Sequence, residues 1–230
     1  MKKYELTEET KVIGGKTLFR IRALRSFGDI KAGDLGGFIE NERNLSHEGN
    51  AWVSGDARVD GDARVDGDAR VGGDAMVGGN AQVEGNAWVS GDARVEDNAR
   101  VDGDAWVDGN ARVDGDAWVD GNAQVRDNAM VCGNAWVDGD ARVDGNAQVS
   151  GDGLINSNND YLCEKGLGSH NRSASFFKCK DGHIHVLCGC FDGNLDEFEN
   201  KVKKEHGNSK YAKEYLGFIE VVKTHFEVRQ

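Results

Sequence analysis

The chain has 230 residues, 32 glycines and no proline, which favours a fold with a buried core over glycine-rich disorder, because disordered segments normally contain proline as well. Its net charge is −12, and residues 50–152 hold 19 Asp and 2 Glu against 8 Arg and no Lys, which disfavours direct binding to nucleic acid. No apolar run approaches the roughly 20 residues of a membrane span.

The beginning of the chain and its cysteines favour a cytoplasmic location. The first ten residues, MKKYELTEET, contain neither an apolar core region nor a small-residue cleavage site, so we expect no secretory signal. Five cysteines, an odd number, are more typical of reduced thiols than of a disulfide framework.

Residues 1–49 predict an N-terminal β cap. The stretch TLFRIRAL alternates apolar and polar residues, and the Gly14-Gly15 pair before it is typical of a hairpin turn. Near residue 49 the chain comes into frame with a six-residue repeat, and Leu45 and His47 take the places of its Ala and Val. A degenerate first unit suits a cap, because the open end of a repeat coil exposes strand edges and core.

Residues 50–158 form that repeat, Ala-x-Val-x-Gly-Asp/Asn, with Val at every sixth position from Val53 to Val149. Ala and Val separated by one variable residue indicate a short strand, with both facing inward and the variable residue outward. Gly followed by Asp or Asn then makes a turn. Strands this short, with a bend every six residues, can form the sides of a triangular coil.

The pattern resembles the hexapeptide repeat of left-handed β-helices, in which a small residue follows an aliphatic one by four positions, as Ala63 follows Val59. The resemblance implies a mainly β fold class, a left-handed parallel β-helix with three hexads per turn. It gives about six coils here, in which residues 18 apart are stacked. Because homotrimers are the commonest assembly in this family, we expect a homo-oligomer, with a trimer favoured.

The resemblance also bears on catalysis. Acyltransferases of this family use a His near a coil edge, and the related carbonic anhydrases bind zinc through three His on the coils. Residues 50–152 contain no His and no inserted loop. We therefore expect a non-catalytic protein with no cofactor, and a divergent acyltransferase is a less favoured alternative.

The variable residues form three outward columns in steps of 18. The columns are Trp52, Arg70, Trp88, Trp106, Gln124 and Arg142; Arg58, Met76, Arg94, Arg112, Met130 and Gln148; and Arg64, Gln82, Arg100, Trp118, Trp136 and Leu154. All five Trp are expected outside, with Arg70 stacked between Trp52 and Trp88. Contiguous exposed indoles are uncommon on monomeric proteins, so Arg70 and the five Trp predict an interface, the alternative being aromatics that only cover the coil edges.

The residues after Val on the third face form an acidic column of Asp66, Glu84, Asp102, Asp120 and Asp138. A solvated, solubilising face is favoured over a calcium site, because a hard cation needs oxygens that converge on one point. A corner column alternates Asp and Asn and predicts a hydrogen-bond ladder, formed by Asp68, Asn86, Asp104, Asn122, Asp140 and Asn158.

Residues 159–172 predict a polar linker and residues 173–230 a ββαα domain. Asp181-Gly182 is a hairpin signal. A two-residue turn there predicts that the apolar residues of the two strands share one face, namely Phe177, Cys179, Ile184, Val186 and Cys188. Lys178, His183 and His185 then lie on the other face. Asn194 predicts the start of the first helix, and the second begins near Ser209.

The cysteines and histidines of this region do not predict a metal site. Cys163, Cys179, Cys188 and Cys190 lack a paired Cys-x-x-Cys, so buried apolar cysteines are favoured over zinc ligands. His183 and His185 are expected on a wet face with no carboxylate in fixed reach.

The whole chain resembles uncharacterised hexapeptide-repeat proteins of bacteria, prophages and phages. The segments that carry the resemblance are KYELTEET, FGDIKAGDLGGFIE, NLSHEGNAWV, CGCFDGNLDEF and EYLGFIEVV. The implied function is protein interaction or assembly, with a phage protein that blocks a host factor as one form of it. The alternative is a glycan-binding virion component that uses the Trp columns.

Overall fold

The computed structural model describes residues 2–227 and confirms the predicted fold class, a mainly β protein built on a parallel β-solenoid. The chain begins with β1 (Tyr4–Ile13), β2 (Lys16–Ala23) and β3 (Leu35–Ile39), followed by a 3-10 turn at Glu42–Asn44. One two-residue strand per hexad follows, β4 to β21: Trp52–Val53, Arg58–Val59, Arg64–Val65, Arg70–Val71, Met76–Val77, Gln82–Val83, Trp88–Val89, Arg94–Val95, Arg100–Val101, Trp106–Val107, Arg112–Val113, Trp118–Val119, Gln124–Val125, Met130–Val131, Trp136–Val137, Arg142–Val143, Gln148–Val149 and Leu154–Ile155.

Every third strand of the solenoid pairs in parallel, which gives three sheets. The sheets are β3-β5-β8-β11-β14-β17-β20, extended at one edge by β1 and β2, then β4-β7-β10-β13-β16-β19, and β6-β9-β12-β15-β18-β21. The register joins residues 18 apart, as it does for Trp88 and Trp106. The predicted outward columns are therefore present, one on each sheet.

The interior and the corners explain why the repeat is so regular. The Ala and Val of every unit are fully buried, since the narrow coil has room for one small and one branched side chain. At the corner, Gly55 has a φ of +64°, and a Cβ there would lie 2.9 Å from the carbonyl oxygen of Gly73 in the next turn. Asp97 and Asp127 take the Gly place in two units and adopt φ values of 60° and 58°.

The N-terminal cap supplies an additional turn. Strand β3 pairs with β5 through Phe38 and Arg58, and Leu45 bridges Val65, so the first turn is two residues longer than the others. The 18 hexads form the six turns expected, with six of their strands in each sheet, and the cap brings the solenoid to about seven turns. Leu45 occupies a Val place rather than an Ala place, and His47 lies beside the core with its ring stacked 4.3 Å from Tyr4.

Near both ends of the solenoid, asparagine side chains form hydrogen bonds with backbone groups that have no neighbouring strand to pair with. Asn44 is fully buried, and its amide donates to the carbonyl oxygens of Ala63 at 2.8 Å and Gly61 at 3.1 Å. Near the other end, the Oδ1 of Asn158 accepts from the backbone N–H of Arg142 at 2.7 Å. Backbone groups that have no further turn to pair with thus find a partner.

The C-terminal region is an antiparallel sheet backed by two helices. A 3-10 turn, Asn158–Asp160, leads into β22 (Tyr161–Leu167), β23 (Arg172–Lys178), β24 (Ile184–Cys188) and β25 (Phe191–Asn194), which pair in that order, and α1 (Leu195–His206) and α2 (Lys210–His225) follow. The linker predicted at 159–172 was wrong, because half of it is β22, and the two predicted strands belong to a sheet of four. The division into domains stays a prediction.

Both predicted helix starts are confirmed. Asn194 and Glu197 form a capping box in which each side chain accepts from the other's backbone N–H, and Ser209 caps α2. Neither helix combines the length and the apolar character that crossing a bilayer would require, within the residues that the structure describes.

The sheet lies between the end of the solenoid and the helices. Phe177 and Cys179 join the core of the coil, whereas Phe176 and Val186 join a second core beneath the helices. Phe177 opposes His185 across the β23–β24 pair, so the two share a face and the predicted face assignment was wrong. Lys178 pairs with Ile184, which leaves five residues in the loop, and this shift of one residue exchanges the two faces of β24.

Candidate functional site

Trp52, predicted to be outside with the other tryptophans, is buried. Its exposed fraction is 2%, and the ring of Phe27 meets it edge-on at 5.4 Å between ring centroids, with Tyr4 at 6.4 Å. The N-terminal cap folds over the first turn and covers this position, so the prediction that Trp52 forms part of an exposed interface was wrong. The other four tryptophans remain on the surface or are half-buried.

Arg70 does not stack between two indoles. Its guanidinium forms an ion pair with Asp29 of the cap, and none of the cation–ring contacts among the described residues involves Arg70. A groove of about 600 Å³ lies beside this ion pair and is lined in part by Trp52, Arg70 and Trp88. The prediction of a Trp–Arg–Trp stack was therefore wrong, and Arg70 ties the cap to the coil instead.

The four outer tryptophans form two stacked pairs on two different faces. Trp88 and Trp106 lie 5.2 Å apart between ring centroids, with 17° between their planes, and their exposed fractions are 45% and 40%. Trp118 and Trp136 lie 4.9 Å apart with 4° between their planes. The structure thus brings these residues together as two pairs, and whether they bind a partner stays a prediction.

Cations flank both pairs. Arg126 lies 5.6 Å from the ring of Trp106, and Arg100 lies 4.9 Å from that of Trp118. Lys180, which lies in the loop between β23 and β24, is 5.1 Å from the ring of Trp136. Its ammonium group also donates to the carbonyl oxygen of Asn134 at 2.9 Å. Sequence periodicity missed Arg126 and Lys180, because neither occupies the variable position of the repeat.

The acidic column has a structural contact that the sequence analysis did not predict. Four of its members accept a hydrogen bond from the backbone N–H of the following Gly, at 2.7 Å, 2.7 Å, 2.6 Å and 2.5 Å for Asp66, Asp102, Asp120 and Asp138 respectively. The carboxylates thereby support the turn at each corner, and Glu84 lies in line with them. Whether this column binds a partner stays a prediction.

The predicted ladder along the corner is present in part. The amide of Asn86 donates to Asp104 at 2.8 Å, and that of Asn122 donates to Asp140 at 2.9 Å. A further ladder joins Asn80, Asn98 and Asp116 through distances of 2.9 and 2.8 Å. In both ladders the asparagine amides therefore bond from turn to turn, and no two of these carboxylates are next to each other.

A cluster of Cys179, His183 and His185 lies at the loop between β23 and β24. One ligand atom of each residue lies within 4.8 Å of the other two, and this is the metal-ligand group that the described residues contain. Burial raises the pKa of the Cys179 thiol to about 11, with Asp181 and Asp152 adding to the effect.

Two carboxylates hold the histidines of this cluster. His183 Nδ1 lies 2.5 Å from Oδ1 of Asp181, and His185 Nε2 lies 2.7 Å from Oδ1 of Asp192. The expectation that no carboxylate lies in fixed reach of these histidines was therefore wrong. Cys188 faces the core beneath the helices, so the four cysteines considered in the sequence analysis do not converge.

The fold and these surfaces define a β-solenoid protein that is capped at its first turn and followed by a helix-backed sheet. No protein-family model matches the chain, and it matches no curated protein. Its membership of the hexapeptide-repeat family and its origin stay predictions.

Proposed function

We propose that this protein is a non-catalytic scaffold that assembles with further copies of itself, as a trimer, through the two solenoid faces that carry the Trp pairs. The observation that carries the proposal is the pair of exposed stacked indoles at Trp88 and Trp106. Contiguous exposed aromatic surface of this kind is typical of an interaction site.

The two faces complement each other turn by turn. In a trimer whose threefold axis is parallel to the solenoid axis, equivalent turns of neighbouring chains lie at the same height. The first face, which contains Trp88, then meets the third face of the next chain, which contains Trp118. The variable residues of two consecutive hexads, six residues apart, lie on the two sides of the corner between the third and first faces. Each outer Trp is therefore expected to lie opposite an amide or a guanidinium of the neighbouring chain: Trp88 opposite Gln82, Trp106 opposite Arg100, Trp118 opposite Gln124, and Trp136 opposite Arg142.

This arrangement favours a heterologous interface over a solvent-exposed one. A guanidinium over an indole is attracted to the ring, and the attraction grows when the contact is removed from water. Arg100 already lies 4.9 Å from the ring of Trp118 of its own chain. In the trimer its guanidinium would also contact Trp106 of the neighbouring chain.

From the family resemblance alone, we extend the proposal to the partner and the location. The assembled protein would act in the cytoplasm of a bacterial host, as a phage or prophage product that binds a host protein through the acidic surface that lies outside the two interface faces. The net charge of −12 suits a basic partner surface. No contact with nucleic acid or membrane is part of the proposal.

Light scattering of the purified chain at low and high salt tests the assembly. We expect a trimer that Trp88→Ser/Trp106→Ser converts to a monomer, while the control Met76→Ser/Met130→Ser on the remaining face leaves the trimer unchanged. A monomeric parent protein would contradict the proposal.

Two outcomes would support the alternatives instead. Glycan capture that is lost in the Trp88/Trp106 variant would favour a glycan-binding protein, for which the groove beside Trp88 offers about 600 Å³. Saturable binding of acyl-CoA would favour a divergent acyltransferase.

A further inference from the structure

The loop between β23 and β24 brings three metal-ligand side chains to one place. Its ends are joined by a hydrogen bond of 2.9 Å from the N–H of Cys179 to the carbonyl oxygen of His183. His185 is the second residue of β24 and projects from the same face as Phe177. The three ligand atoms lie within 4.8 Å of one another.

The carboxylates decide where the protons of the two imidazoles reside. Because Asp181 accepts from Nδ1 of His183 and Asp192 accepts from Nε2 of His185, the N–H groups of the neutral rings lie on those outer nitrogens. The inner nitrogens, Nε2 of His183 and Nδ1 of His185, then both present lone pairs, and they lie 3.4 Å apart. Two facing lone pairs repel each other unless a proton or a metal ion lies between them.

The separation of these nitrogens fits a metal ion. Two nitrogens bound tetrahedrally to zinc at about 2.0–2.1 Å lie about 3.3–3.4 Å apart. A thiolate bound at about 2.3 Å would lie about 3.5 Å from each nitrogen. Because the Cys179 sulfur lies within 4.8 Å of a nitrogen of each histidine, it has to approach them by no more than about 1.3 Å.

We propose that Cys179, His183 and His185 bind one zinc ion, with the fourth position open to solvent. The thiolate and the two imidazoles favour zinc over magnesium or calcium, which prefer oxygen ligands. Asp181 and Asp192 orient the two rings, as carboxylates commonly do for histidines that bind zinc. His183 is exposed at the surface and Cys179 is buried, so the ion has an entry path on the His183 side.

The position of the cluster gives the ion a structural role. The N–H of Lys180, the residue after Cys179, donates to the carbonyl oxygen of Asp152 at 3.0 Å, and Cys179 itself forms a bridge with Gly153 of the last turn. The ring of His185 lies 5.2 Å from that of Phe177, which belongs to the core of the coil. Zinc would therefore fasten the sheet to the end of the solenoid.

Titration of the full chain with Zn²⁺ and with Co²⁺ tests the proposal. We expect one ion per chain, a thiolate-to-cobalt charge-transfer band, and a higher melting temperature with one equivalent of Zn²⁺. His183→Gln should weaken binding more than about 100-fold, and Asp192→Asn about 10–100-fold, the range typical of residues that orient a ligand. Cys179→Ser should remove the charge-transfer band.

The matched controls are Cys190→Ser and His170→Gln, an exposed thiol and an exposed imidazole outside the cluster. Both should bind zinc as the parent does. The proposal is overturned if the parent binds no stoichiometric zinc, if His183→Gln binds as tightly as the parent, or if Cys190→Ser abolishes binding. His183→Gln alters only a side chain at the surface, so a folded variant is expected even if Cys179→Ser unfolds.

Discussion

Trp52 and Trp88 occupy equivalent positions of the repeat on the same sheet, but the structure gives them different surroundings. Trp52 is 2% exposed beneath the cap, whereas Trp88 is 45% exposed. Replacing each by Ala therefore isolates the contribution of the cap. We expect Trp52→Ala to destabilise the protein far more than Trp88→Ala.

The magnitude follows from the area that each ring buries. A Trp side chain that buries about 200 Å² gains about 5 kcal/mol at ~25 cal/mol per Å². The exposed fraction of 45% reduces this gain to nearly 3 kcal/mol for Trp88. An Ala side chain at either site still gains about 1 kcal/mol from its own burial. Trp52→Ala also leaves a cavity, so we expect a loss of about 4–5 kcal/mol, against about 2 kcal/mol for Trp88→Ala.

Urea unfolding followed by far-ultraviolet circular dichroism measures both free energies. The slopes must agree between variants for the comparison to hold. Measurement over a range of protein concentrations separates any contribution of assembly to the Trp88 value. Equal losses for the two variants would refute the packing of the cap over the first turn.

Three further predictions use the same unfolding assay. Asn44→Ala removes three hydrogen bonds of a buried amide and should cost about 2–3 kcal/mol, whereas Asn122→Ala in the exposed ladder should change the free energy by no more than about 0.5 kcal/mol. Asp97→Gly relieves a left-handed backbone at φ 60° and should stabilise by about 0.5–1 kcal/mol, and a loss would show that the side chain matters more. Asp120→Asn keeps the acceptor for the N–H of Gly121 but removes one charge, so it should stabilise by about 0.5–1 kcal/mol at low salt. A gain that persists at about 1 M salt would contradict the repulsion argument.

The sequence by itself determined the solenoid. An unbroken six-residue period makes every unit experience the same surroundings, so strand, turn and inward face follow from local preferences that agree with one another. The helix starts at Asn194 and Ser209 were predictable for a similar reason, because a capping side chain bonds to backbone within its own first turn.

Only the tertiary structure decided what happens where the period ends. The burial of Trp52 depends on Phe27 and Tyr4, which lie far away along the chain, and no periodicity within the repeat indicates that a cap will cover one of its outward positions. The cluster of Cys179, His183 and His185 depends on the length of one loop, since a shift of a single residue exchanges the faces of β24. The pairing of Asp192 with His185 likewise needs β24 and β25 to be neighbours. In the repeated middle of this protein, interactions between residues close in sequence determine the structure. At the two ends, contacts between elements that are distant in sequence determine it.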